Sequence, residues 1–366
     1  MESGGCDELN TDINTQTLLS QGIANYSGCP SSMGDTEQVA CMRNLTSLQL
    51  AYAYYNTTLP FSKSSNTFTY KLLRPIVDGY VIPDYPQNIF AAGKQNKVNA
   101  LFGDCNNEGG LWIEIDPTWQ INSTTNPNGA QWSLPVAYLY NSTTAGQATR
   151  LGYGQPFVTN ASLAAGNDTS LLIEELEQVY GPNGVISQAV DYVAGPSSAV
   201  DNIITYSIFT CPTRRTGRGL DNIGMTTWAF DFQYYAVSSS PFEYLGATHG
   251  SDLAYFMDLR DNSYTAGTSA FTAAQQELSN AISTYLVNFV VNQNPNTPSN
   301  SSVTTLNMPY WPQYNASSGI YMNFGSGAPG NTTIATTLEP FGPICDLVWD
   351  QLVPQLSFTG LSNTTT

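Results

Sequence analysis

Histidine is nearly absent from this chain. Its 366 residues contain one, His249, which leaves a single imidazole for chemistry near neutral pH. With one histidine and no Cys-x-x-Cys, no metal site is visible and no cofactor is expected. Positive charge is scarce too: 11 Lys and Arg stand against 28 Asp and Glu, a formal net charge of −17. So few scattered cations cannot form the stripe that nucleic acid requires, or a patch for an anionic membrane surface. Long apolar runs are missing. The longest, Tyr285 to Val291, is interrupted by Asn288 and is too short to cross a bilayer. The opening Met1-Glu2-Ser3-Gly4-Gly5-Cys6 has neither the basic nor the apolar region of a signal peptide. No G-x-S-x-G occurs. The nearest approach is Glu2-Ser3-Gly4-Gly5, with Met1 where the first glycine should stand. Ser3 is rejected as a nucleophile, because such an elbow must follow a strand and open a helix.

What is present points to a large folded domain that has met an oxidising compartment. Apolar residues make up 41% of the chain, ample for a core. Asn-x-Ser/Thr sequons stand at Asn25, Asn44, Asn56, Asn122, Asn141, Asn160, Asn167, Asn300, Asn315, Asn331 and Asn363. Together with six cysteines they suggest a secreted glycoprotein. A chain that looks secreted but opens without an export signal is expected to be missing its beginning.

The pattern along the chain alternates helices and strands. Residues 8 to 57 read as helical, with Asp35 and Gln38 as a capping box. Arg74 to Asp84 reads as a turn-rich extended segment, and Pro86 opens a short helix through Ala92. Val98 to Phe102 is a compact apolar strand that feeds into the polar, Gly-rich loop Gly103 to Gly110. Asn167 to Tyr180 and Val200 to Phe209 are expected helices. Thr227 to Tyr234 has the aromatic density of a strand. Asp252 is placed as the cap of a short helix, Leu253 to Met257. Thr272 to Val291 is a long amphipathic helix, Ile320 to Phe324 a strand, and Cys345 to Leu352 a last helix.

Two loops in this α/β pattern carry the chemistry. Each follows a strand, where open sheets place their catalytic groups. One offers Glu108 and the other His249. A carboxylate beside an imidazole fixes its tautomer and stabilises its protonated form, and such a pair serves a nucleophile.

The motifs, taken in order, resemble the type-B carboxylesterases, the cholinesterase and fungal lipase group. The resemblance rests on Glu2-Ser3-Gly4-Gly5, the Cys29…Cys41 spacing, Pro75-Ile76-Val77-Asp78-Gly79 and Gly103-Asp104-Cys105-Asn106-Asn107-Glu108-Gly109. It continues through His249-Gly250-Ser251-Asp252-Leu253, Phe289, Asn294-Pro295-Asn296 and Trp311-Pro312-Gln313-Tyr314. It implies an α/β-hydrolase fold, with residues 1–366 the C-terminal portion of a single domain. It implies an ester substrate, Glu108 as the triad acid and His249 as the triad base. The serine, the oxyanion loop, the first sheet strands and the export signal are expected upstream of Met1. It also implies disulfides Cys29–Cys41 and Cys211–Cys345. Cys6 and Cys105 have no partner in the family and are left to pair with each other, or Cys6 with an upstream cysteine.

Two other readings compete. The same fold can serve a non-catalytic adhesion or interaction protein, which has no need of a Glu108 and His249 pair. Glu108 and Glu114 could be offered as the paired carboxylates of a glycosidase, although nothing sets them across a sugar.

Overall fold

The computed structural model describes residues 1–5, 11–64, 75–111, 201–202, 205–235, 246–257, 271–298, 308–339, 341–346 and 350. The chain separates into two compact units. The expected helix Asn167–Tyr180 lies outside the described residues.

The smaller unit contains the helical N-terminal region. Strand β1 (Thr11–Asp12) leads into helix α1 (Ile13–Tyr26), then α2 (Asp35–Arg43) and α3 (Ser47–Ser64). Helices α1 and α3 pack together through buried Leu19, Ala24 and Ala53. Gly22 permits the approach: a Cβ there would sit 2.6 Å from Thr57 Cγ2. Cys29 is bonded to Cys41, tying the chain after α1 to α2. The capping box at Asp35 is not formed. Gly34 takes the cap with φ 83°, a conformation that suits glycine, and Asp35 enters the first turn of α2. The Gln38 side-chain amide instead donates to Cys29 O at 2.9 Å. Strand β2 (Ile76–Val77) pairs in parallel with β1. After it, one oxygen of Asp78 accepts the N–H groups of Tyr80, Val81 and Ile82, a tight turn within the segment expected to be turn-rich and extended.

Among the described residues, the larger unit contains a mixed four-stranded sheet. After the short helix α4 (Pro86–Ala91) come β3 (Ala100–Cys105), helix α5 (Cys211–Asn222) and β4 (Thr227–Phe232). Then follow the helical turn α6 (Leu253–Phe256), the long helix α7 (Ala273–Asn292), β5 (Ile320–Phe324), β6 (Ile334–Leu338) and the short helix α8 (Gly342–Ile344). The sheet order is β3-β4-β5-β6, the first three strands parallel and β6 antiparallel. Parallel strands buried on both faces read as continuous apolar runs, and every residue of β4 is buried. Residues 1–3 lie along the far side of β3: Ser3 N–H donates to Gly103 O at 2.9 Å, and Gly103 N–H to Met1 O at 3.2 Å.

The core is aromatic. Trp228, Phe230, Phe232, Tyr255, Tyr285, Trp311 and Phe324 form one cluster between the sheet and α7. Trp311 packs edge-on against Tyr285, Phe230 and Phe324, and its indole N–H donates to Ala229 O at 3.1 Å. Its backbone is held from the Pro-Asn turn, where Asn296 both donates to Trp311 O and accepts from Trp311 N–H at 2.8 Å. Helix α7 starts at a complete capping box, Thr272 with Gln275.

Several boundaries differ from the sequence reading. Strand β3 runs two to three residues later than the expected Val98–Phe102. Gly103 stays in the strand because Phe230 covers it, so that a Cβ would fall 2.2 Å from Phe230 O. Asp104 stays because Thr213 donates to its carboxylate at 2.9 Å. Of the expected helix Val200–Phe209, Asp201 and Asn202 are helical, and Thr205–Thr210 forms a wide π-helical turn that leads into α5, where Pro212 is tolerated in the first turn. Strand β6 was not anticipated. Of the expected helix Cys345–Leu352, the helical residues described begin at Gly342. Cys211 is bonded to Cys345 across 134 residues. Cys105 is a free, buried thiol and so is not joined to Cys6, which lies outside the described residues.

Candidate active site

The parallel pairing of β3 with β4 sets both loops at one end of the sheet. Cys105 lies opposite Phe232 at the last step of the ladder, and Asn106 N–H continues it to Phe232 O at 2.9 Å. The chain carrying His249 then takes up the pairing. Asn107 forms a parallel bridge with Thr248, and its N–H donates to Ala247 O at 3.0 Å. The two loops are therefore stitched together one residue before each functional side chain. Gly246, at φ 69°, is required here: a Cβ would fall 2.3 Å from Asn107 Oδ1.

Glu108 is completely buried, whereas the His249 side chain is 34% exposed. One carboxylate oxygen of Glu108 accepts the Cys105 N–H at 2.6 Å, and the other lies 2.5 Å from His249 Nδ1. A charged group buried this deeply needs partners for both oxygens, and these are the two. Phe209, from the π-helical turn, packs against the imidazole with ring centres 4.9 Å apart.

A second layer of polar groups supports the Glu108 loop. Gly109 N–H donates to Thr205 Oγ1 at 3.0 Å, and Thr205 donates in turn to Asp201 at 3.0 Å. The other Asp201 oxygen accepts from the Asn107 side chain at 2.8 Å. Burial pushes the Asp201 carboxyl up to about 7. Sequence reasoning missed Asp201, Thr205 and Phe209. Only their distance in sequence from their partners hid them, since nothing local marks a residue that acts across the 94 and 96 positions of the Asp201 and Thr205 bonds, or from Phe209 to His249.

Asp252 stands at the cap position of α6 but makes no capping bond, contrary to the sequence reading. It is buried instead, and both its oxygens lack hydrogen-bond partners. The Glu2 carboxyl lies against it without a bond of normal geometry. Burial, reinforced by Asp252, raises Glu2 to about 8, so Glu2 keeps its proton at neutral pH. Ser3 Oγ is buried with no hydrogen-bond partner, so it does not bond His249. Cys105 is no nucleophile either, since burial pushes its thiol well above the ordinary range. Glu114, the second carboxylate of the glycosidase reading, lies outside the described residues. Among the described residues no group of three or more His, Cys, Asp or Glu is arranged to hold a metal ion, and no helix is long and apolar enough to cross a membrane.

Comparison with known proteins shows what the chain is similar to. Residues 2–338 match the Carboxylesterase family. Over 309 residues, 80% of this chain, it is 24% identical to Liver carboxylesterase 1F of Rattus norvegicus. Over 327 residues, 88% of this chain, it is 22% identical to an Acetylcholinesterase of Bungarus fasciatus. A shorter stretch of 124 residues, 33% of this chain, is 29% identical to Lipase 1 of Geotrichum candidum and covers 21% of that lipase. The two longer matches each span 45% of the relative, so the chain covers less than half the length of these proteins. With nearly its whole length matched and the motifs in family order, this chain belongs to the carboxylesterase family.

Proposed function

We propose that this chain is the acid- and base-bearing portion of one domain of a serine carboxylic ester hydrolase. Glu108 and His249 are two members of its triad, and the nucleophilic serine lies upstream of Met1. The observation that carries the reading is the 2.5 Å contact between Glu108 and His249 Nδ1, made by a fully buried carboxylate. The family membership supports ester hydrolysis in general. The lack of any G-x-S-x-G in the sequence supports a serine outside it.

In this mechanism a serine hydroxyl attacks the ester carbonyl while His249, through its second ring nitrogen, takes the serine proton. Glu108 holds the Nδ1–H tautomer and stabilises the imidazolium that forms. His249 then passes the proton to the departing alcohol, leaving an acyl-serine. A water, deprotonated by His249, releases the acid. A non-catalytic binding module would have no use for a buried acid set against a half-exposed base. The two disulfides and eleven sequons support a secreted glycoprotein.

The test is covalent. A fluorophosphonate ester should label the full-length protein at a single serine in a G-x-S-x-G upstream of Met1, and His249→Ala should suppress the labelling. Labelling at a serine within the 366 residues would overturn the assignment of the nucleophile.

A further inference from the structure

Five of the eleven sequons fall among the described residues, and their geometry divides them. At Asn315 the side-chain carbonyl accepts the Ser317 N–H at 2.9 Å and also the Ser317 hydroxyl. At Asn331 it accepts the Thr333 N–H at 2.9 Å and the Thr333 hydroxyl at 2.6 Å. Each is a closed turn in which the Asn and the hydroxyl two residues on are already joined. In neither does the side-chain nitrogen donate to any described residue. Asn315 is exposed and Asn331 half-buried, on the loops that lead into and out of β5.

The other three sequons are built differently. Asn25 lies in the last turn of α1, and its hydroxyl partner Ser27 donates to Ala24 O at 2.9 Å. Asn44 ends α2, and Thr46 is engaged with Gln49 at the start of α3. Asn56 lies in the interior of α3, followed by the buried Thr57. At Asn25 and Asn44 no hydrogen bond among the described residues joins the Asn carbonyl to the hydroxyl.

We propose that Asn315 and Asn331 are the N-glycan acceptors among these five, and that Asn25, Asn44 and Asn56 are poor ones. This rests on the secretory reading above. The donor class is a lipid-linked oligosaccharyl pyrophosphate, with the transferase of the secretory compartment. The asparagine Nδ2 attacks the anomeric carbon and forms the N–C bond. The bond from that carbon to the pyrophosphate oxygen breaks, the lipid pyrophosphate leaves with the electron pair, and one Nδ2 proton passes to a basic group of the transferase. The turn holds the side-chain carbonyl inward against two donors and leaves the nitrogen for the donor sugar. Both turns are made from bonds spanning two residues, so they can form in the nascent chain before the sheet assembles. In α3 the helix instead sets Asn56 and the residue two positions on toward different sides of its axis. The folded protein must also carry the sugar outside its core, which both loops allow.

The test is to express the full-length protein behind a supplied export leader in a yeast host and release the glycans with an amidase in heavy-oxygen water. Peptide mass spectrometry then reads each converted asparagine. Asn315 and Asn331 should be occupied in most copies, and Asn25, Asn44 and Asn56 each in a minor fraction. Occupancy at any of those three that equals or exceeds either turn site overturns the inference. The supplied leader separates the two claims: protein from its natural source that carries no glycan at any sequon would count against the secretory reading alone.

Discussion

His249 Nδ1 and Glu108 Oε2 are 2.5 Å apart, though 141 residues separate them in sequence. The contact is fixed by backbone, because Asn107 and Thr248 form a parallel bridge immediately before the two side chains. The fold thus delivers an acid and a base to one point without relying on the side chains to find each other. Of the two, only the imidazole reaches solvent.

Replacing the acid tests its role in orienting the base. In the upstream-extended form that the proposal calls for, Glu108→Gln keeps the side chain's size but can hold the wrong imidazole tautomer. The kcat for a short p-nitrophenyl ester should fall on the order of 10³–10⁴-fold with KM little changed. Glu108→Asp should recover part of that loss. A fall below about tenfold would remove Glu108 from the triad.

The pH dependence of stability should run opposite to that of most acidic proteins. Burial raises Asp201 and Asp231 to about 7 and Glu2 to about 8. Between the ordinary carboxylate range and those values the folded chain holds protons that the unfolded chain has released. Stability therefore falls as pH rises through that window. Asp346, lowered by its bonds to Arg214, acts in the other direction but only under strongly acidic conditions. The thermal midpoint should be higher at about pH 5 than at about pH 8. Asp201→Asn and Asp231→Asn should each flatten the slope, and a midpoint that climbs across this window would contradict the account.

Arg214 is fully buried and bonded to Glu339 at 2.8 Å, Asp346 at 2.9 Å and Asp350 at 3.1 Å. Arg214→Met leaves the partly buried Glu339 and Asp350 without their central cation. Stability should drop by roughly 3–5 kcal/mol, read from a denaturant midpoint. Arg214→Lys should recover little, since an ammonium cannot reproduce the fork of donors.

The sequence was most legible where local rules govern. The spacing of Leu278, Ile282 and Tyr285 marked α7, and the prolines and glycine of Arg74 to Asp84 marked a turn-rich segment without locating its turn at Asp78. The Glu108 and His249 loops stood out because each follows an apolar strand, and Cys211 and Cys345 were paired by resemblance to the family. Long-range contacts decide the rest. Gly103 and Asp104 look like the start of a loop, yet Phe230 and Thr213 hold them in β3. Asp252 has the spacing of a cap, but burial draws it inward beside Glu2. Gly34 takes the cap expected of Asp35, because the chain turns there through a positive φ. Strand β6, Ile334-Ala335-Thr336-Thr337-Leu338, has weak alternation and is fixed by pairing with β5.

Ester hydrolysis compared between two forms of the protein tests the central claim most directly. The 366-residue chain should not hydrolyse a short p-nitrophenyl ester above the buffer rate, because the reading proposed above sets the serine and the oxyanion donors outside it. A form extended upstream through a G-x-S-x-G should turn over. His249→Ala in that form should lower kcat on the order of 10⁵–10⁶-fold. Enzymatic turnover by the 366 residues alone, or an extended form indifferent to the loss of His249, would contradict the account.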